Sequence, residues 1–268
     1  MTKKSCNVSL IVSTYNWPEA LNLCLNSIRN QTLLPDEVII ADDGSTEETR
    51  ILVEKHKQDF PVPLYHIWQA DEGFQLSKIR NKAIAFSSRE YIVQIDGDLI
   101  LSPHFLGDHV AFRKKGTFVS GIRVQMSPEL SKNAINEGLT SISMLSKGLG
   151  NFFNGFRIPL LRSFLASRYK NRDLTYVRGC NMAFWRTDLV SVNGYNESIV
   201  GWGREDSELA IRLMNSSVDR RILKFGAVAF HIYHDEISRL NLADNDDILK
   251  NSMENNVKVC SNGISKYL

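Results

Sequence analysis

Apolar and polar positions follow two rhythms along the first 125 residues. Short apolar runs at residues 8–12, 38–41, 64–68 and 91–95 each close on polar turn residues, as buried strands do. Between them, residues 18–29 carry Ala20, Leu21, Cys24, Leu25 and Ile28 at helical spacing, and residues 76–86 read as another helix. Pro18 suits a first helical turn, where its missing N–H is not needed. Strands separated by helices predict right-handed βαβ units and an α/β fold with a mostly parallel sheet.

Such sheets bind ligands beyond the carboxyl ends of their strands. The residues to watch are therefore Thr14, Tyr15 and Asn16 after the first strand, Asp42 and Asp43 after the second, and Asp96, Gly97 and Asp98 after the fourth. The rhythm breaks over residues 127–175. From 138 to 172 the chain has six basic residues, Lys147, Arg157, Arg162, Arg168, Lys170 and Arg172, set among Leu, Ile and Phe with no Asp or Glu. This stretch either lies on an anionic membrane through residues 140–172 or packs on the core as a lid or helical lobe. Beyond it, residues 176–186 read as a strand, 205–214 as a helix and 222–230 as a strand. The polar, Asn-rich tail from residue 244 is expected to pack loosely.

Composition narrows the partners. A chain of 268 residues with 43% hydrophobic composition can bury the core of one large α/β unit. Thirty-two basic against thirty acidic residues leave a charge of +2, so no global field points to nucleic acid. Cysteines at 6, 24, 180 and 260 lack metal-ligand spacing and read as free thiols of a reducing compartment. The apolar run VSLIVS is too brief for a signal sequence or a membrane span. A cytoplasmic protein is expected, peripheral at the inner face of the plasma membrane if residues 140–172 tether it.

Three features carry candidate chemistry. IDGD ends a rigid apolar strand on two acids, which is either a turn or a site where a cation offsets the cost of held charge. Oxygen ligands suit Mg²⁺ or Mn²⁺, and an imidazole moves the choice toward Mn²⁺. His231 and His234, in AFHIYHDE, face opposite sides if the strand continues but share a face if the chain turns. In GWGREDSE, the acids Glu205, Asp206 and Glu208 load a helix N-terminus, where the macrodipole alone favours them. The alternative is chemical: Trp202 as an apolar platform for a ring, and one carboxylate as a general base.

These segments together resemble the GT-A glycosyltransferases of family 2: SLIVSTYN, IIADDGS, GFQLSKIRNKAI and the DxD element IDGD. RGCNMAFWRTDLVSVNGYNE, GWGREDSELAIRL and HIYH look like the carboxyl-terminal part of β-1,4-galactosyltransferases and of bacterial chondroitin-type polymerases. The resemblance spans residues 7–126 and 176–236. It implies a GT-A fold, with a Rossmann-like sheet covered by helices on both faces. Residues 1–126 would form the nucleotide-sugar half, 127–175 an insertion or lid, 176–240 the acceptor and catalytic half, and 241–268 a tail.

Carried over by position, the resemblance implies a UDP-sugar pocket at Thr14, Tyr15, Asn16, Asp42 and Asp43, with Asp42 on the uracil edge. Arg80 and Asn81 would lie near the ribose and diphosphate, and Asp96 against the ribose or donor sugar. Asp98 would bind Mn²⁺, or Mg²⁺, with His234; His231 stands where galactosyltransferases have a methionine. Asp206 would be the base and Trp202 and Glu205 would contact the acceptor, while Ser207 replaces an acid of the galactosyltransferase pattern. The implied activity is inverting transfer of a hexose or N-acetylhexosamine to a hydroxyl of a glycan or lipid-linked glycan, in bacterial surface polysaccharide synthesis. Two rival readings are a nucleotidyltransferase, although TYNWPEA lacks a Gly-rich phosphate loop, and an inactive glycan-binding module, which need not keep Asp98, His234 and Asp206 together.

Overall fold

The computed structural model describes residues 6–166, 168–169, 173, 176–235 and 241–268. Lys170 and Arg172 lie outside the described residues. The first half runs β1 (Val8–Thr14), α1 (Pro18–Arg29), β2 (Glu37–Asp42), α2 (Glu47–Lys57), β3 (Leu64–Trp68), α3 (Leu76–Phe86), β4 (Tyr91–Asp96) and β5 (Leu99–Leu101). Then come α4 (Phe105–Phe112), β6 (Thr117–Ser120), β7 (Val124–Met126), α5 (Pro128–Glu137), β8 (Leu149–Gly150) and α6 (Pro159–Leu165). The remainder is β9 (Asn181–Trp185), α7 (Arg186–Ser191), α8 (Glu205–Asn215), β10 (Asp219–Ile222), β11 (Ala229–His231) and α9 (Leu242–Glu254).

Among the described residues, the main sheet has seven strands in the order β10-β6-β9-β4-β1-β2-β3, parallel except for β9. Strand alternation divides the core. Leu10, Val12, Val38, Ile40, Val93 and Ile95 face α1, α2 and α4, whereas Ile11, Ile39, Ala41 and Ile92 face α3, α7 and α8. Helices on both faces follow from strands β1, β2 and β4 being buried at all but one position. The chain leaves β1 for β2 on one side and returns to β4 on the other, so a crevice opens at the carboxyl ends of β1 and β4.

A smaller sheet, β5-β11-β7-β8, closes the far side of this crevice. The apolar run expected as one strand over residues 222–230 is in fact two. Phe225 and Ala227 take positive φ of 60° and 44°, and this bend sends β10 to the main sheet and β11 to the small one.

The expected loose tail is also corrected. α9 packs on α8, and the segment after it buries Ile264 against Tyr195 and α3. Its small polar residues serve as internal bonding groups, as when Ser252 Oγ donates to Glu208 Oε1 at 3.0 Å.

Part of the basic segment is fastened to the core. Arg157 grips the buried Asp108 of α4 through two bonds of 2.9 Å, and Arg162 Nη1 adds a third at 2.7 Å. All four cysteines are buried free thiols.

Candidate active site

The crevice is a cleft of about 1120 Å³ between the two sheets. Its floor is the turn between β4 and β5. Gly97 N donates to Ser13 O at 2.7 Å, and a Cβ at Gly97 would stand 3.0 Å from that oxygen. A side chain there would push the turn off β1. This close approach explains the glycine between the acids and directs Asp96 and Asp98 into the cleft.

Asp98 meets both candidate histidines. β11 ends at His231, Ile232 N donates to Asp98 O, and Tyr233 N donates to Ser131 Oγ, so the chain turns and brings His234 back. His231 Nε2 lies 3.3 Å and His234 Nε2 3.4 Å from Asp98 Oδ2. One ligand atom from each of the three residues lies within 4.8 Å of the others.

The donor set fits a divalent cation. His234 Nδ1 donates to the carbonyl of Asp235 at 2.8 Å, which turns Nε2 toward Asp98 as a ligand atom would be turned. Burial, then Arg123 and His234, push the His231 imidazole down to about 3, so it is neutral, as a ligand must be. Asp98 Oδ1 is buried without a hydrogen-bond partner among the described residues, a cost that a metal ion would remove. Two imidazoles beside one carboxylate favour Mn²⁺ over Mg²⁺.

The opposite wall is the N-terminus of α8. Asp206 Oδ1 accepts from Arg80 Nη1 and from Tyr195 Oη, both at 3.0 Å. Gly179 makes room for this carboxylate, since a Cβ there would fall 1.6 Å from Asp206 Oδ2. Beside it, burial and then Asp206 push Glu205 up to about 8 against the pull of Arg80, so Glu205 holds its proton at neutral pH. Trp202 stands at the rim, on a loop fastened by Asn245 Nδ2 to the carbonyls of Val200 and Gly203.

Arg80 joins the two walls. Its guanidinium, 1% exposed, donates to Ser13 Oγ, to Asp96 Oδ1 at 3.0 Å and to Asp206. Expected near the ribose and diphosphate, Arg80 lines the cleft while these bonds brace Asp96 to Asp206. Asn81 is fully buried and bonds Tyr195 and Glu197, away from the cleft.

Asp42 is corrected likewise. It belongs to β2 and accepts from Ser45 N and His66 Nε2, both at 2.8 Å, whereas Asp43, the next residue, lines the cleft. Asp43 accepts from Gln69 and Gln75, and burial pushes it up to about 6. Thr14 and Tyr15 line the cleft, but the Asn16 carboxamide is turned to Thr46 N as a loop brace.

Sequence reasoning passed over Arg123 and Arg178, two cations on the cleft wall, and Tyr195, which aligns Asp206. Arg178 sits inside the quoted RGCN segment and was open to notice. Arg123 has no motif around it, and only the pairing of β7 with β11 brings it near Asp98.

Residues 9–191 match the model of glycosyl transferase family 2, and residues 160–235 match one described as the N-terminal domain of galactosyltransferase. Chondroitin synthase of Escherichia coli is 26% identical over 84% of this chain and 34% of its own length. Validoxylamine A glucosyltransferase of Streptomyces hygroscopicus is 26% identical over 77% of this chain and 47% of its own. The chain thus spans between a third and a half of these two relatives. Among solved structures, Staphylococcus aureus TarS 1–349 in complex with UDP superposes with a TM-score of 0.63 at 18% identity, over 90% of this chain and 64% of that one. The mannosyltransferase PcManGT from Pyrobaculum calidifontis, in complex with GDP-Man and Mn²⁺, gives 0.59 at 18% identity, over 86% and 58%.

Proposed function

The chain belongs to glycosyl transferase family 2, and on that premise we propose that it is an inverting, metal-dependent transferase. It moves a hexose or N-acetylhexosamine from a UDP-sugar to a hydroxyl of a glycan or glycolipid acceptor, in bacterial surface polysaccharide synthesis. The observation that carries this reading is the Arg80 bridge. One guanidinium lies 3.0 Å from Asp96 on the metal-binding side and 3.0 Å from Asp206 on the other, so donor and base would share one cleft floor.

In this reading the nucleoside end enters beside Thr14, Tyr15 and Asp43, with Asp43 in place of Asp42 on the uracil edge. Asp96 faces the donor ribose or sugar. Arg123 and Arg178 offer their guanidinium groups to the diphosphate. Asp98, His231 and His234 would hold Mn²⁺, which when bound offsets the negative charge that grows on the departing diphosphate. The mannosyltransferase that resembles this chain carries Mn²⁺ with its nucleotide sugar, which supports the assignment.

Transfer then needs a base. The acceptor hydroxyl lies between Trp202 and Asp206, and Asp206 takes its proton as the oxygen attacks the anomeric carbon from the face opposite UDP. The bond from that carbon to the diphosphate oxygen breaks, and the configuration inverts. Arg80 and Tyr195 hold Asp206 Oδ1, leaving Oδ2 for the proton. Glu205, protonated at neutral pH, presents an O–H donor to the acceptor.

Inversion is read directly from the product. With α-linked UDP-hexoses and UDP-N-acetylhexosamines, Mn²⁺ and a panel of glycan acceptors, proton NMR is expected to show a β-linked product. An α-linked product would contradict the proposed geometry, and failure of every UDP-sugar would contradict the donor.

A further inference from the structure

Residues 140–169 give the cleft a neighbour of different chemistry. β8 pairs with β7, Asn154 Nδ2 donates to Arg123 O at 2.9 Å, and a Cβ at Gly155 would lie 3.5 Å from Val124. The segment is therefore attached to β7 and to Arg123, the residue just before it on the cleft wall.

Its outer side is apolar. Phe152, Phe153 and Phe156 form an aromatic cluster with centroids 5.1–6.3 Å apart, and Phe153 is 72% exposed. On α6, Leu160 is 91% exposed, with Leu161 and Phe164 exposed beside it, and Leu145 is 93% exposed. So many large apolar side chains in one short segment mark a contact surface.

Charge identifies what would cover it. No Asp or Glu occurs from residue 138 to residue 172. Arg157 and Arg162 are neutralised inward by Asp108. Lys147 and Arg168 are exposed, and the Arg168 guanidinium lies 4.5 Å over the Phe164 ring, which sets cation and apolar surface side by side. Aromatic and leucine side chains with an exposed guanidinium against them match the boundary between acyl chains and anionic headgroups. Among the described residues no helix is long and apolar enough to cross a membrane, so the contact is peripheral.

We propose that Leu145, Phe153, Leu160 and Phe164, edged by Lys147 and Arg168, dock this chain on an anionic bilayer. The cleft then opens near the headgroup layer, because Asn154, within the aromatic cluster, bonds the backbone of Arg123 on the cleft wall. If the acceptor is a glycolipid, which rests on the function proposed above, docking delivers the enzyme to the plane where that acceptor lies. The docking itself is independent of transfer.

The test is co-sedimentation of the full chain with vesicles, read without any transfer assay. Binding is expected to be about tenfold stronger on vesicles of mixed phosphatidylglycerol and phosphatidylcholine than on phosphatidylcholine alone, and to weaken as salt rises. Leu160→Asp/Phe164→Asp should lower the bound fraction about tenfold. Parent-like circular dichroism and thermal melting would show that the variant is folded. Equal binding of parent and variant, or no binding to anionic vesicles, overturns the proposal. So does a parent that forms dimers in light scattering which the double substitution disperses, since a second copy would then cover the face. Vesicle binding by a chain that turns over no UDP-sugar would leave the surface standing and count against the transferase reading alone.

Discussion

Asp206→Asn is expected to leave UDP binding within about twofold of the parent while transfer falls by roughly 10² to 10⁴. The substitution is nearly isosteric. The carboxamide oxygen of the variant side chain can still accept from Arg80 Nη1 and Tyr195 Oη, as Asp206 Oδ1 does, so the frame that holds the side chain survives. The Gly179 surface that admits the side chain is also unchanged. What disappears is the second oxygen as a proton acceptor. Calorimetry with UDP and UDP-release kinetics on the same preparation separate the two effects. A transfer rate close to that of the parent would remove Asp206 from the mechanism.

The second large effect is on stability. Arg80→Met removes a guanidinium that faces Asp96, Glu205 and Asp206 together. Burial already pushes Asp96 up, Arg80 opposes that rise, and the nearby carboxylates of Asp98 and Asp206 add to it. Without Arg80 these acids must share protons or repel, and breaking a buried ion pair from one side costs about 3 to 5 kcal/mol. Urea unfolding is expected to show a loss of that size. Arg80→Met/Asp206→Asn should recover part of it, because one of the stranded charges is gone. A loss below about 1 kcal/mol, as for an exposed pair, would mean that Arg80 does not brace the site.

Much of the frame was legible because burial on both faces of the sheet leaves continuous apolar runs. The expected runs at 8–12, 38–41 and 91–95 fall inside β1, β2 and β4 for this reason, and helical spacing returned the observed ranges of α1 and α3. Strand parity was less accessible. Asp42 and Asp43 look alike as a pair, and only the end of β2 decides that the first bonds inward to His66 while the second faces the cleft. Arg80 and Asn81 differ by about 100° around α3, enough to send one to the cleft floor and the other to Tyr195.

Polar composition misled at the carboxyl end. Asn245 and Ser252 look solvated in the sequence, yet they are buried and answer carbonyls of the Trp202 loop and the carboxylate of Glu208. The two histidines were left open between opposite faces and a shared face. The turn after β11 that brings them together is fixed by bonds to Asp98 O and Ser131 Oγ, partners far away in sequence.

Asp98, His231 and His234 are proposed to hold the cation through which the cleft receives a nucleotide diphosphate. Titration calorimetry of UDP into the protein with Mn²⁺, and then with EDTA, tests it most directly. Binding is expected with Mn²⁺ and is expected to be lost in EDTA. Binding of equal strength in both conditions, or none in either, would contradict it.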